Sequence, residues 1–267
     1  METGLILPSL VLGAAVGFAA GLLGIGGGLL VVPVLTFLFS ARQIPRDLVV
    51  HMAIATSLAT ILFTSISSVV AHHRRGAVSW PIVKMLVPGL LIGSWVGPWI
   101  GKQLNSTVLA LVFVAFVTVS GARMLVRAKP PASRELPEPL GMLVAGGVIG
   151  IFAGLVGAGG GFVSVPFMTW CNVKIHDAVA TSAALGFPIA LAGTVSNLYF
   201  GMGTPGLPPG SLGFVHVPSL LVVSLASVLT APLGARTAHR LPVESLRRAF
   251  AISLFALAAY MLYKAFN

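Results

Sequence analysis

Ten mostly apolar segments, separated by short polar stretches, fill this chain. The first five cover roughly 5–23, 28–39, 48–70, 78–100 and 106–126. The next five cover roughly 140–156, 161–171, 178–198, 213–234 and 245–264. Apolar runs of about 20 residues predict membrane-spanning helices. The second segment of each set is the exception. At about 1.5 Å per residue, its length reaches about 17 Å, roughly half the hydrocarbon core. Each set therefore contains a short, broken or re-entrant helix.

The two sets are copies. Gly17-Phe-Ala-Ala-Gly21-Leu-Leu-Gly24-Ile-Gly26-Gly27-Gly28-Leu-Leu-Val-Val-Pro33 returns as Gly150-Ile-Phe-Ala-Gly154-Leu-Val-Gly157-Ala-Gly159-Gly160-Gly161-Phe-Val-Ser-Val-Pro166, with ten of seventeen positions identical. His51-Met-Ala-Ile-Ala-Thr56-Ser57 matches His176-Asp-Ala-Val-Ala-Thr181-Ser182, and Pro98 matches Pro232. The polar, proline-rich stretch before Leu140 separates the copies. The organisation is a first repeat over 1–127, a cytoplasmic linker over 128–139 and a second repeat over 140–267.

Charge decides how the copies run. If each half crosses an even number of times, the sixteen Lys and Arg divide eight to eight between the two faces. If each half crosses an odd number of times, they divide twelve to four, with Arg42, Arg46, Lys102 and Lys264 on the sparse face. Only the second arrangement satisfies the positive-inside rule. The expected fold is an all-α polytopic membrane protein of two inverted-topology repeats, each of about five hydrophobic segments. Both termini and the uncharged loop 199–211 fall outside the cell inner membrane. The sequence starts Met1-Glu2-Thr3-Gly4, without a basic stretch before its apolar run, so it reads as a first membrane segment rather than a cleaved signal.

Composition narrows the function. The chain is 57% hydrophobic and only 8% charged, too few charges to cover a water-facing surface. Its net charge of +10 sits in short loops, with no basic face interleaved with aromatics, so nucleic acid is excluded as a partner. A single cysteine, Cys171, excludes an internal disulfide and a multi-cysteine metal site. No metal or cofactor is expected. There is no His-Glu-x-x-His pattern, no pair of intramembrane aspartates and no Ser/His pair at one depth, so an enzyme is not expected either. Gly24-x-Gly26, with Asp47 further on, partly matches a dinucleotide fingerprint, but Leu29 replaces the third glycine and the preceding run is too long for a strand.

The glycine clusters are the candidate site. A glycine run weakens a helix by about 1 kcal/mol per residue against alanine. At membrane depth such a break survives only inside protein or against a watery cavity. The candidates are Gly24, Gly26, Gly27 and Gly28 in the first copy and Gly157, Gly159, Gly160 and Gly161 in the second. In inverted halves the two breaks approach each other. The helix starting after each would present its unpaired N–H groups and positive dipole end there, which suits an anion. Gly17, Gly21, Gly150 and Gly154 stand at small-xxx-small spacing and fit close helix packing instead.

Thr56, Ser57, Thr181 and Ser182 fall about 13 Å into their segments. Their hydroxyls either ligate substrate or bond the helix backbone. His51 and His176 are gates, proton carriers or interfacial anchors. His72 is a cytoplasmic-loop candidate, and Asn197, at the matching position, could close the other side. All six acidic residues, from Glu2 to Glu244, lie at ends or in loops, so no buried carboxylate relay exists. An anion leaving a negative interior gains about 2.3 kcal/mol per charge per 100 mV, which favours export.

The doubled glycine pattern, the doubled Ala-x-Ala-Thr-Ser and the His72-His-Arg-Arg-Gly76-Ala-Val78 stretch resemble the sulfite exporter TauE/SafE family across essentially the whole chain. The resemblance implies an inner-membrane permease for small sulfur-containing anions such as sulfite or sulfonates. That family is often counted as eight spans, whereas the charges here favour odd-numbered, inverted halves. The expected function is export of a small inorganic or organosulfur oxyanion by alternating access, with a passive anion channel as the alternative. Expected partners are the small anion and the bilayer, and a homodimer is compatible with the reading.

Overall fold

The computed structural model describes residues 10–11, 13–18, 28–42, 44–74, 76–125, 135–238 and 243–266. A helical stretch over 13–18 comes first. It is followed by α1 (Gly28–Ala41), α2 (Arg46–Arg74), α3 (Trp80–Gln103), α4 (Ser106–Leu125), α5 (Pro139–Val156), α6 (Gly161–Trp170) and α7 (Ile175–Gly201). A two-stranded hairpin, β1 (Ser211–Leu212) and β2 (Val215–His216), then leads to α8 (Val217–Ala238) and α9 (Val243–Phe266). Five helices, α2, α3, α4, α5 and α7, are long and apolar enough to cross a bilayer. The protein is a polytopic helical membrane protein.

The helices begin and end for local reasons. Pro139 opens α5, where a missing N–H costs nothing. Gly157, with φ 73°, closes it in the left-handed conformation and donates its N–H to the Ala153 carbonyl. Gly160, also at φ 73°, precedes α6. By length α1 spans about 21 Å and α6 about 15 Å, neither a full crossing. The hydropathy segment expected from 213 starts as a helix only at Val217. Gly213, at φ 53°, lies against the Asn197 and Leu198 carbonyls and turns the hairpin, and Pro218 then opens α8.

Two glycine seams assemble the fold. Gly89, Gly93 and Gly97 of α3 lie on Leu143, Gly147 and Ile151 of α5, and a Cβ on Gly93 would strike the Gly147 carbonyl. Gly150 and Gly154 of α5 close the same seam from the other side. Gly13 and Gly17 of the first stretch likewise lie on Val223 and Ser227 of α8. The Ser227 and Thr230 hydroxyls donate to the Gly13 and Ala14 carbonyls, at 3.2 and 2.9 Å. Gly17, Gly150 and Gly154 are thus packing glycines, and Gly21 lies outside the described residues.

Two further contacts join equivalent helices. Gly193 of α7 meets Leu58 of α2, and Gly186 meets Ser65, so α2 and α7 run antiparallel. The Thr107 hydroxyl at the start of α4 donates to the Ala265 carbonyl at the end of α9 (3.4 Å), and Gly121 meets Phe255, so these helices are antiparallel too. The core lies around α2 and α7, where Met52, Ala53, Leu58, Leu185 and Ile189 are fully buried.

Candidate functional site

Gly28, the described residue of the first glycine cluster, meets the second cluster directly. A Cβ there would lie 3.0 Å from the Gly157 carbonyl oxygen and 3.1 Å from the Ala158 Cα. Gly157 in turn packs on Val32 of α1 and on the Ile54 backbone of α2. The Ser57 hydroxyl lies between the clusters. It donates to the Gly157 carbonyl at 2.8 Å and lies 3.3 Å from that of Gly28. Both short helices, α1 and α6, start at this junction, with their positive ends there. Gly159 has the most room: its Cβ would find nothing closer than Ile61 at 3.8 Å and Gly186 at 4.0 Å. Gly160 packs on Ile189, and Gly161 opens α6. Gly24, Gly26 and Gly27 lie outside the described residues.

Thr56 and Thr181 have a reciprocal role. The His216 main-chain N–H donates to the Thr56 hydroxyl oxygen, and the Ser79 N–H donates to that of Thr181, each at 3.0 Å. Each threonine thus holds the chain entering the fourth helix of the other repeat. Ser182 accepts from the Ser164 hydroxyl at 2.8 Å. All four predicted hydroxyl residues are buried and bonded within the protein. They do not converge. The antiparallel register of α2 and α7 separates Thr56 from Thr181 by about 20 Å along the helix axis. Ser57 is the member that joins both glycine clusters.

The candidate gates differ in setting. His51 is buried, with Nδ1 3.0 Å from the Asp47 carbonyl and Nε2 3.0 Å from the Gly101 carbonyl, and it ties α2 to α3. Its repeat counterpart His176 is exposed. His72 is half-buried, and its carbonyl accepts the Ala77 N–H. Asn197 is buried. Its side-chain amide donates to the Gly193 carbonyl of its own helix, and its main-chain carbonyl accepts the Phe214 N–H of the hairpin. A cavity of about 550 Å³ opens where α1 ends, lined by Thr36, Ser40, Arg46, Asp47, Ser106 and Lys264. The glycine junction does not line it.

Sequence reasoning missed His216. It is the last residue of β2, buried, and edge-on to Phe39 with ring centroids 5.5 Å apart. Its Nδ1 accepts the Ser219 main-chain N–H at 3.2 Å and lies 2.8 Å from the Ser219 hydroxyl, capping α8. Burial, and then the nearby Arg42 guanidinium, lower this imidazole from 6.5 to about 4, so it is neutral at physiological pH. No repeat signal could expose it, because Ser79 occupies the corresponding place in the first half.

These features define a class: a polytopic helical membrane protein in which two short helices, α1 and α6, start at one junction inside the bundle. Comparison with known proteins supplies the family. The sulfite exporter TauE/SafE family profile matches residues 9–261, and the chain belongs to that family. It is 35% identical over 260 residues to a probable membrane transporter protein of Haemophilus influenzae, covering 97% of this chain and 98% of that one. It is 28% identical over 261 residues to a probable membrane transporter protein of Methanocaldococcus jannaschii, covering 97% and 96%. It is 29% identical over 212 residues to the probable membrane transporter protein YunE of Bacillus subtilis, covering 72% and 77%. No solved structure matches. Family and relatives indicate a membrane transporter rather than an enzyme.

Proposed function

We propose that this protein moves a small inorganic or organosulfur oxyanion, such as sulfite or a sulfonate, out across the cell inner membrane by alternating access. The observation that carries this is the junction of Gly28 with Gly157 and Ala158, bridged by Ser57. Two short helices begin there, and their positive ends favour an anion without a buried arginine. The substrate contacts Gly159, where the junction has most room, together with the adjoining Gly160 and Gly161 and the corresponding Gly24, Gly26 and Gly27 of the first repeat.

The halves, 1–127 and 140–267, are inverted copies joined by a cytoplasmic linker over 128–139. Three reciprocal contacts support this. The first segment of each half packs on the fourth helix of the other. Thr56 and Thr181 hold each other's fourth-helix entrances. The third helices pair antiparallel with each other, as do the fifth.

The test is sulfite efflux from proteoliposomes. Gly159→Leu inserts normally and abolishes efflux, because its side chain fills the space beside Ile61 and Gly186. Normal efflux by this variant would overturn the site. Uphill movement driven by an imposed gradient distinguishes a transporter from a passive channel.

A further inference from the structure

Between the end of α1 and the start of α8 lies a group of donors with no assigned partner. Arg42 is half-buried just past α1, and one of its guanidinium N–H groups reaches the Ser219 hydroxyl at 3.4 Å. Among the described residues no carboxylate pairs with it, and the rest of its fork is unclaimed. Next to Ser219 stands His216, only 4% exposed. A main-chain N–H can only donate, so the bond from the Ser219 N–H makes Nδ1 an acceptor. The imidazole proton therefore resides on Nε2. Among the described residues Nε2–H has no partner. The α8 dipole adds its positive end. The first N–H groups of α8 are already taken: Val217 N–H by the Gly210 carbonyl, Ser219 N–H by His216, while Pro218 has none. The free donors are side chains: the Arg42 fork on one side of Ser219, and His216 Nε2–H on the ring edge away from Ser219, with no carboxylate paired to either among the described residues. That chemistry calls for an anion bearing several acceptor oxygens.

We propose that Arg42, Ser219 and His216 form a binding station for a small oxyanion, separate from the glycine junction and beside the hairpin that Thr56 holds. It rests on the anion-transport reading above. The fixed guanidinium supplies charge and the fork supplies geometry. Ser219 passes one donor from Arg42 to His216 and so locks the imidazole in the Nε2–H form. The anion stops here on its way to or from the junction. A purely structural role for these residues, histidine capping α8 and arginine snorkelling, predicts no effect on anion affinity.

The experiment uses the purified full-length protein and sulfite. Phenylglyoxal labelling of Arg42, followed by peptide mass spectrometry, works on the wild-type chain and avoids any folding defect. Sulfite consumes part of the reagent by adding to its aldehyde and slows all labelling, so the readout is the ratio of Arg42 to exposed Arg46 labelling, which sulfite lowers. In parallel, Arg42→Gln weakens sulfite binding at least about tenfold, and Arg42→Lys keeps part of it, because charge remains while the fork is lost. Sulfite that binds and drives efflux yet leaves the Arg42-to-Arg46 labelling ratio unchanged would overturn the station and leave the transport reading intact. Absence of any sulfite binding or efflux would overturn both. Protection by phosphatidylglycerol vesicles but not by free sulfite would make this a lipid site, and the proposal would fail.

Discussion

Gly157 and Gly159 stand two residues apart and should respond differently to the same substitution. Gly157 adopts φ 73° and a Cβ there would lie 3.0 Å from the Ile54 Cα. Gly157→Ala therefore meets both a left-handed backbone and a rigid neighbour, and should destabilise the protein by about 1–3 kcal/mol. Gly159→Ala finds only ordinary contacts and should fold normally. Thermal melting in detergent distinguishes them, and equal melting temperatures would refute the assignment. His216 gives a pH signature at the same scale. Its folded value, about 4, lies below its ordinary 6.5, so the unfolded chain takes up the proton first as pH falls. The stability that requires neutral His216 is complete above about pH 6.5 and is lost progressively down to about 4. The melting temperature should fall across that window, and fall less in His216→Asn, whose side-chain oxygen still caps Ser219.

Among elements, the α3–α5 seam depends on glycine at one helical spacing, so a single methyl there acts on backbone rather than on a flexible side chain. Gly93→Ala should separate the helices and cost about 1–3 kcal/mol. The exposed Gly76 turn meets nothing within 4 Å, but its φ of 66° still disfavours alanine. Its penalty should be about 1 kcal/mol, strain alone without a clash. Chemical denaturation of both variants checks the order. Helices such as α2 and α7 were legible in the sequence because hydropathy persists along their length, and the break before α6 because glycine repeats there. The hairpin was not legible. Residues 202–216 carry no charge change and no repeat partner that would reveal a fold back toward Thr56. Arg42 registered only as a loop charge, since its neighbour Ser219 is 177 residues distant. The separation of Thr56 from Thr181 was not legible for a related reason: each lies similarly far into its own helix, but antiparallel pairing moves them to opposite sides of the crossing point.

For the whole molecule, contacts and charges constrain orientation independently. The start of α4 touches the end of α9 through Thr107 and Ala265, and Arg46, Ser106 and Lys264 line one cavity. The end of α9 therefore shares a face with the start of α2. If the halves were parallel copies, α4 and α9 would run the same way and Thr107 could not meet Ala265. Geometry fixes which ends lie together, but not which side of the membrane they face. The charge count supplies that. The face bearing Arg46 and Lys264 holds four of the sixteen Lys and Arg when the halves are inverted, so the positive-inside rule predicts that it lies outside. A reporter active only outside the cytoplasm, fused after Lys264, should therefore be active, and one fused within 128–134 should be silent. Adding four lysines to the 202–210 loop should weaken or reverse that pattern, because the charge bias is what orients the chain. A cytoplasmic reporter signal after Lys264 would leave the contacts standing and turn the whole molecule over, placing the Arg42 station on the inner side.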